Sequence, residues 1–274
     1  MTQLKTILEA LEQIAPLSLQ EGWDNCGMQI DTGKKDVEKI LVCLEITSAV
    51  LDEAQKLGAD MIITHHPLYF RPISRIDSCF PVGKYTIRLI QSNISVYAAH
   101  TCFDKVQGGN NTKLCALLGI PHPEPLFTGP GREDYVAYIA MLPEEKPAYA
   151  VADELKNVLE IPGGVLRCSG NLKKTVRKIA VCTGAGADFM SAAEEVGCDL
   201  LITGDVRYHE ARDAEEKGFV LLDAGHFWTE KIFSSNMAEQ LRSTLAAMDK
   251  MQDPHNIQIF VSKAEKDPFS VFCE

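Results

Sequence analysis

Paired histidines, His65 and His66, close one apolar run of the chain, and two His-x-x-x-(Asp/Glu) tetrads follow later runs, His100 with Asp104 and His226 with Glu230. Imidazole and carboxylate without a thiolate suit Zn, Fe, Mn, Co or Ni at a chemically active site better than a Cys-rich structural zinc. Adjacent side chains on an extended strand point to opposite faces, so His65 and His66 are expected to reach different neighbours. If both are ligands, two ions joined by a bridging carboxylate are the economical arrangement. Where a tetrad winds as helix, its two side chains share one face. A lone His-x-x-x-Asp is common and carries little; the conjunction of the three features carries the reading.

The elements that must position these residues are written twice. Ile40, Val42, Cys43, Ala54, Gly58, Asp60, Ile63 and Thr64 recur without a gap as Ile179, Val181, Cys182, Ala193, Gly197, Asp199, Ile202 and Thr203. After the threonine the copies part, and His65-His66 become Gly204-Asp205. A second alignment sets 98–104 on 224–230, so that His100 meets His226 and Asp104 meets Glu230. Such self-similarity is the mark of a duplicated architecture.

Periodicity supplies the parts. Leu4, Ile7, Leu8, Leu11 and Ile14 have amphipathic-helix spacing. Lys39–Leu44 reads as a strand, Ser48 as the cap of a helix closed by Gly58, and Asp60–Thr64 as the next strand, a right-handed parallel crossover. His65-His66-Pro67 then lies at a strand's carboxyl end, where open α/β sheets bind ligands. Ile94–Ala99 delivers His100, and Asn110 or Asn111 caps the next helix. A Pro- and Gly-rich composition break spans 121–134. Tyr135–Leu142 and Val165–Cys168 read as strands around a helix at Pro147–Leu159. In the second copy Phe219–Leu222 delivers His226, one helix runs from Thr229 to Met248 with Glu230 in its first turn, and Ile257–Val261 is a last strand. The fold class is α/β: two related, interlaced α/β units from an internal duplication, each a mixed sheet flanked by helices. The expected domains are 1–126 plus 229–274, with the His-His half-site, and 127–228, with the GDVRYH half-site; the metal site is expected in the cleft between them.

A net charge of −11 without a basic block gives no strong nucleic-acid signal. Without a signal-peptide core or a long apolar run, a cytoplasmic protein with no membrane partner is expected. The nine cysteines stand singly, none in a Cys-x-x-Cys pair, and read as structural thiols of a reducing compartment. TGAGAD, 183–188, could cradle phosphate through backbone N–H groups, but it lacks the lysine of a P-loop and reads as a tight turn.

THHP after a strand, H-x-x-x-D followed by GGNN, TGD-x-x-YH, GH-x-x-x-E and the early EGWDNCG occur in this order from Leu4 to Phe272. Together they resemble the Nif-three-like dinuclear metal-centre proteins, the family of the GTP cyclohydrolase I type 2 homologues. The resemblance implies that His65, His66, Asp104, His226 and Glu230 bind two divalent transition-metal ions, with Glu230 bridging. It places His100 beside them, either as a weak ligand or as a general acid/base. Asp205 and His209 would face the same cleft, although Asp205 could instead cap the following helix. A ring-shaped homohexamer is implied as well.

The expected activity is hydrolysis of a small molecule such as a nucleotide, as in GTP ring opening, because two metals lower the pKa of water and clamp an oxyanion. Trp23 and Asn25 would frame the substrate, with His100, Asp205 and His209 as catalytic groups. Alternatives are a phosphoesterase acting on nucleotides, a metal-binding regulatory or metal-chaperone module without turnover, and an adaptor that uses metal for stability alone.

Overall fold

The computed structural model describes residues 2–128, 135–249 and 257–270. Residues 129–134, at the end of the composition break, lie outside them. In chain order the elements are α1 (Leu4–Ile14), β1 (Gly27–Ile30), β2 (Lys39–Cys43), α2 (Ser48–Leu57), β3 (Met61–Thr64), α3 (Pro81–Gln91), β4 (Ser95–Ala98), α4 (Thr101–Asp104), α5 (Asn110–Leu117), β5 (Glu124–Pro125) and β6 (Tyr138–Pro147). They continue with α6 (Ala148–Val158), β7 (Arg167–Ser169), β8 (Thr175–Ala185), α7 (Met190–Glu195), β9 (Leu200–Gly204), α8 (Tyr208–Lys217), β10 (Val220–Asp223), α9 (His226–Glu230), α10 (Ile232–Asp249) and β11 (Gln258–Val261). The class is mixed α/β.

The chain divides into two compact units, 1–106 with 233–274, and 107–232. The composition break at 121–134 falls inside the second of these, because Leu114, Cys115 and Ile120 are buried in the same core as Val151, Leu155 and Ile179.

The first unit is built on a five-stranded sheet of order β11-β2-β3-β4-β1. Its inner strands are parallel, and β1 runs antiparallel to β4. Ile40, Leu41, Val42, Ile62 and Ile63 are fully buried, as the near-continuous apolar runs of a strand covered on both faces require. α1 lays Ile7, Ala10 and Leu11 on one face of the sheet together with Phe233, Met237 and Leu241. On the other face, Val50, Leu51 and Ala54 of α2 pack with Leu89 of α3. The cap of α2 is Thr47, whose hydroxyl accepts from the Val50 N–H at 3.2 Å, one residue earlier than the spacing suggests; Ser48 is the first helical residue.

The second unit has a six-stranded sheet of order β5-β6-β8-β9-β10-β7, parallel from β8 to β10 and antiparallel at both edges. Its βαβ unit makes the same local bonds as that of the first. Asp60 accepts from the N–H groups of Glu38 and Lys39, and Asp199 from those of Arg177 and Lys178. Lys39 reaches the Leu57 carbonyl and Lys178 that of Val196. Asn110 and Asn111 are buried inside α5 rather than capping it, and Gly109 is the cap. The Asn111 amide instead donates to the Val136 carbonyl and accepts from the Thr183 N–H, tying the helix to the sheet.

The stretch expected as one helix from Thr229 to Met248 is two. α9 ends at Glu230 and α10 starts at Ile232, so Glu230 closes a short helix of its own rather than opening the long one.

Candidate metal centre

In the first unit the strand stops at Thr64, and the next two amides turn to one acceptor: His65 N–H and His66 N–H both donate to the Leu44 carbonyl, at 3.1 and 2.9 Å. Successive amides of an extended strand point to opposite sides, so the backbone leaves regular strand geometry at this bend. Their rings lie 5.3 Å apart, and ligand nitrogens of His65, His66 and His100 all fall within 4.8 Å of one another. Both histidines lie near His100, and His65 in addition meets a carboxylate of its own. The Oδ2 of Asp104, at the end of α4, is 3.6 Å from Nε2 of His65. His65 is fully buried, with its ring 4.8 Å from that of Phe233.

His100 stands before α4 and is fixed by a residue that its type alone does not single out. Asp24, in the EGWDNCG loop, accepts from His100 Nδ1 at 2.9 Å and from the N–H groups of Asn25 and Thr101 at 2.8 and 3.1 Å; the Thr101 hydroxyl also donates to it. Burial alone would raise the Asp24 carboxyl, but His100, Thr101 and Cys26 outweigh it and hold the group far below the usual carboxylate range. Trp23 and Phe70 are both about half exposed, and each brings its ring 6.1 Å from that of His100. Asn25 turns its amide away to the Tyr69 carbonyl, at 2.7 Å, and anchors the loop.

In the second unit, Gly225 (φ +81°) precedes α9, and His226 and Glu230 share one face of that helix, with Nε2 and Oε2 2.9 Å apart. Asp205 accepts from His226 Nδ1 at 2.8 Å. Burial would lower the pKa of His226, yet Glu230 and Asp205 raise it to about 9. Asp205 has the left-handed φ of +55°, and the cap of α8 is Arg207, so Asp205 is the histidine's partner and not a helix cap. His209 is exposed, its ring against that of Tyr208.

Strand register adjusts the equivalence of the two tetrads. Ala99 N–H bonds the Thr64 carbonyl as Ala224 N–H bonds that of Thr203, so Gly225, and not His226, stands in the place of His100. One extra residue before α9 moves the second tetrad on by a position. The likeness of His100 to His226 is one of spacing.

The donor set fits divalent transition-metal ions. Nδ1 of His65 donates to the Ala99 carbonyl at 2.8 Å, that of His100 to Asp24 and that of His226 to Asp205. A carbonyl or carboxylate on Nδ1 leaves Nε2 as the coordinating nitrogen, the arrangement usual behind metal-bound histidines. Space is reserved as well. A Cβ on Gly184 would strike the Glu230 carboxylate and come within 3.4 Å of His226 Nε2. Gly184 belongs to TGAGAD, whose glycine thus makes room for a carboxylate. Its N–H is occupied by Thr229 Oγ1 at 3.0 Å, and that of Gly186 by Thr203 Oγ1 at 2.8 Å, which speaks against the phosphate cradle.

No helix among the described residues is long and apolar enough to cross a membrane. Comparison with known proteins places these residues in a family. The model of the Duf34/NIF3 (NGG1p interacting factor 3) family matches residues 2–268. A Clostridium perfringens (strain 13 / Type A) protein named GTP cyclohydrolase 1 type 2 homolog is 35% identical over 97% of this chain and 98% of its own. A Helicobacter pylori (strain J99) protein named GTP cyclohydrolase 1 type 2 is 34% identical over 94% of this chain and 100% of its own. Among solved structures, a Bacillus cereus protein related to NIF3 superposes with a TM-score of 0.88 at 25% identity, over 99% of this chain and 100% of that one. The chain belongs to the Duf34/NIF3 family.

Proposed function

We propose that this chain is a dinuclear-metal-dependent hydrolase of a nucleotide, of the ring-opening GTP cyclohydrolase type. The observation that supports it best is the first-unit cluster of His65, His66 and His100, whose ligand nitrogens lie within 4.8 Å of one another, with Nδ1 of His65 and of His100 held from behind so that Nε2 is left for a metal in the one and for a proton in the other. His65, His66, Asp104, His226 and Glu230 would hold the two ions, Glu230 bridging. When bound, the ions would activate water and stabilise developing negative charge on the substrate.

The chain's own groups have distinct tasks. Asp24 holds the His100 ring in one orientation and one tautomer, so Nε2 can take a proton from the attacking water and return it to the leaving nitrogen. Trp23 and Phe70 present apolar surface beside that ring and would shield the proton transfer from bulk solvent. Asp205 keeps His226 Nδ1 protonated and its Nε2 directed toward Glu230. The names of the relatives support a guanine nucleotide as the substrate.

The test is a metal-replete assay against GTP, cyclic nucleotides, phosphodiesters and small amides. Turnover of a nucleotide is expected, and His100→Ala should keep its metal while losing about 10²- to 10⁴-fold in rate. Silence across the panel from protein holding its metal would overturn the hydrolase reading and leave a metal-binding module.

A further inference from the structure

The second unit contains a cavity of about 250 Å³ lined by residues of β7, α8 and β10, at the carboxyl end of the parallel strands. Arg167 and Arg207 both open on it and suggest a phosphate site. Their partners argue otherwise. The Arg167 guanidinium is gripped by Asp223, a buried carboxylate, with Nε at 3.0 Å, and it also donates to the Val206 carbonyl at 2.7 Å. Arg207 is held by Glu210, with Nε at 2.7 Å, and reaches Asp188 at 3.3 Å. Each positive charge is already matched by a carboxylate, which leaves no surplus to neutralise an anion.

What remains is largely apolar. Val206, Ala211 and Leu221 line the cavity, and the Tyr208 ring, 69% exposed, stands at its mouth. Guanidinium planes and phenol rings both stack on planar heterocycles. The volume is below the roughly 300–1,000 Å³ of sites for drug-sized ligands, and so suits one ring system rather than a whole nucleotide. Val206 directly follows Asp205, and Asp223 stands three residues before His226, a chain reach of about 10 Å at most. A ring seated there would be a short step from His226.

We propose that this cavity is a subsite for an uncharged planar nitrogen heterocycle of the nucleobase class, with any phosphate left outside. That it feeds a reaction at His226 rests on the nucleotide-hydrolase reading; the binding itself does not.

The full-length protein as isolated is titrated calorimetrically with guanosine, GMP and inorganic triphosphate. Guanosine and GMP are expected to bind alike and triphosphate not to compete. Tyr208→Ala, at an exposed position, should weaken guanosine binding roughly 5- to 100-fold, and Ala211→Trp should abolish it by filling the cavity. Absence of guanosine binding, binding that both variants leave unchanged, or triphosphate that displaces GMP would each overturn the subsite. Turnover separates the two readings. If Ala211→Trp hydrolyses GTP with an unchanged KM, the subsite falls and the hydrolase stands. Guanosine binding that depends on Tyr208 in a protein without turnover leaves the subsite standing and the hydrolase fallen.

Discussion

Gly184→Ala isolates the space reserved for Glu230 from the backbone strain of the turn. Gly184 sits at φ +69°, its N–H bonded to Thr229 Oγ1 at 3.0 Å and its carbonyl to Thr203 Oγ1 at 3.1 Å, so the peptide cannot easily withdraw. An alanine there has two costs. The left-handed conformation itself costs about 1–2 kcal/mol for a residue with a Cβ. The new methyl also occupies the position of the Glu230 carboxylate and crowds His226 Nε2, so Glu230 must leave the face it shares with His226. Gly197→Ala is the control: φ is +79°, and no neighbour lies within 4 Å of the added atom. In chelator-treated thermal unfolding Gly197→Ala should lose about 1–2 kcal/mol, a fall of a few degrees in Tm, and Gly184→Ala at least as much, since the displacement of Glu230 adds to the same strain. Only Gly184→Ala should lose metal affinity, by roughly 10- to 100-fold, the usual scale for disturbing a ligand's surroundings. Competition against a zinc-sensitive dye reads the difference. Equal metal affinities in the two alanine variants would refute the assignment of Gly184 as the space-maker for Glu230.

Asp24→Asn should lower metal-supported turnover by about 10- to 100-fold, since an amide turned to accept from His100 no longer offers a second acceptor to Thr101; unchanged turnover in steady-state assays would remove Asp24 from the site. Glu265 gives a pH signature. Burial, with Glu53 and Glu45 nearby, pushes its carboxyl up to about 7, although Leu44 N–H and Ser234 donate to it. The folded state then holds the proton more tightly than the unfolded one. Its stability contribution is full below the ordinary carboxylate range and is lost as pH rises through about 7. Glu265→Gln should gain on the wild type in Tm as pH rises from about 5 to about 8; a constant difference across that range would contradict the raised value.

The site was legible where residue type is itself the signal. Imidazoles and carboxylates at strand ends, in a pattern written twice, mark a group that could hold a metal ion whatever the tertiary detail. Asp24 was not legible, because one carboxylate in a polar loop is unremarkable until the pairing of β1 with β4, Gly27 opposite Ala98, carries it to His100. Gly184 was hidden for a related reason: a glycine in a tight turn looks the same whether it serves a φ angle, a phosphate or a neighbouring carboxylate. Strand ends were hidden in another way. Periodicity reports the strand interior and does not show that past Thr64 the amides of both His65 and His66 turn to Leu44. The fold class was legible because buried parallel strands leave long apolar runs. The break at Lys231 was not, because apolar spacing continues across it.

The most direct test of the account is the metal content of the purified chain by inductively coupled plasma mass spectrometry, beside that of Glu230→Ala. Two transition-metal ions per chain in the wild type, both lost from the variant, is the result predicted for a dinuclear centre bridged by Glu230. A wild-type chain that holds no transition metal after metal-supplemented expression would contradict it.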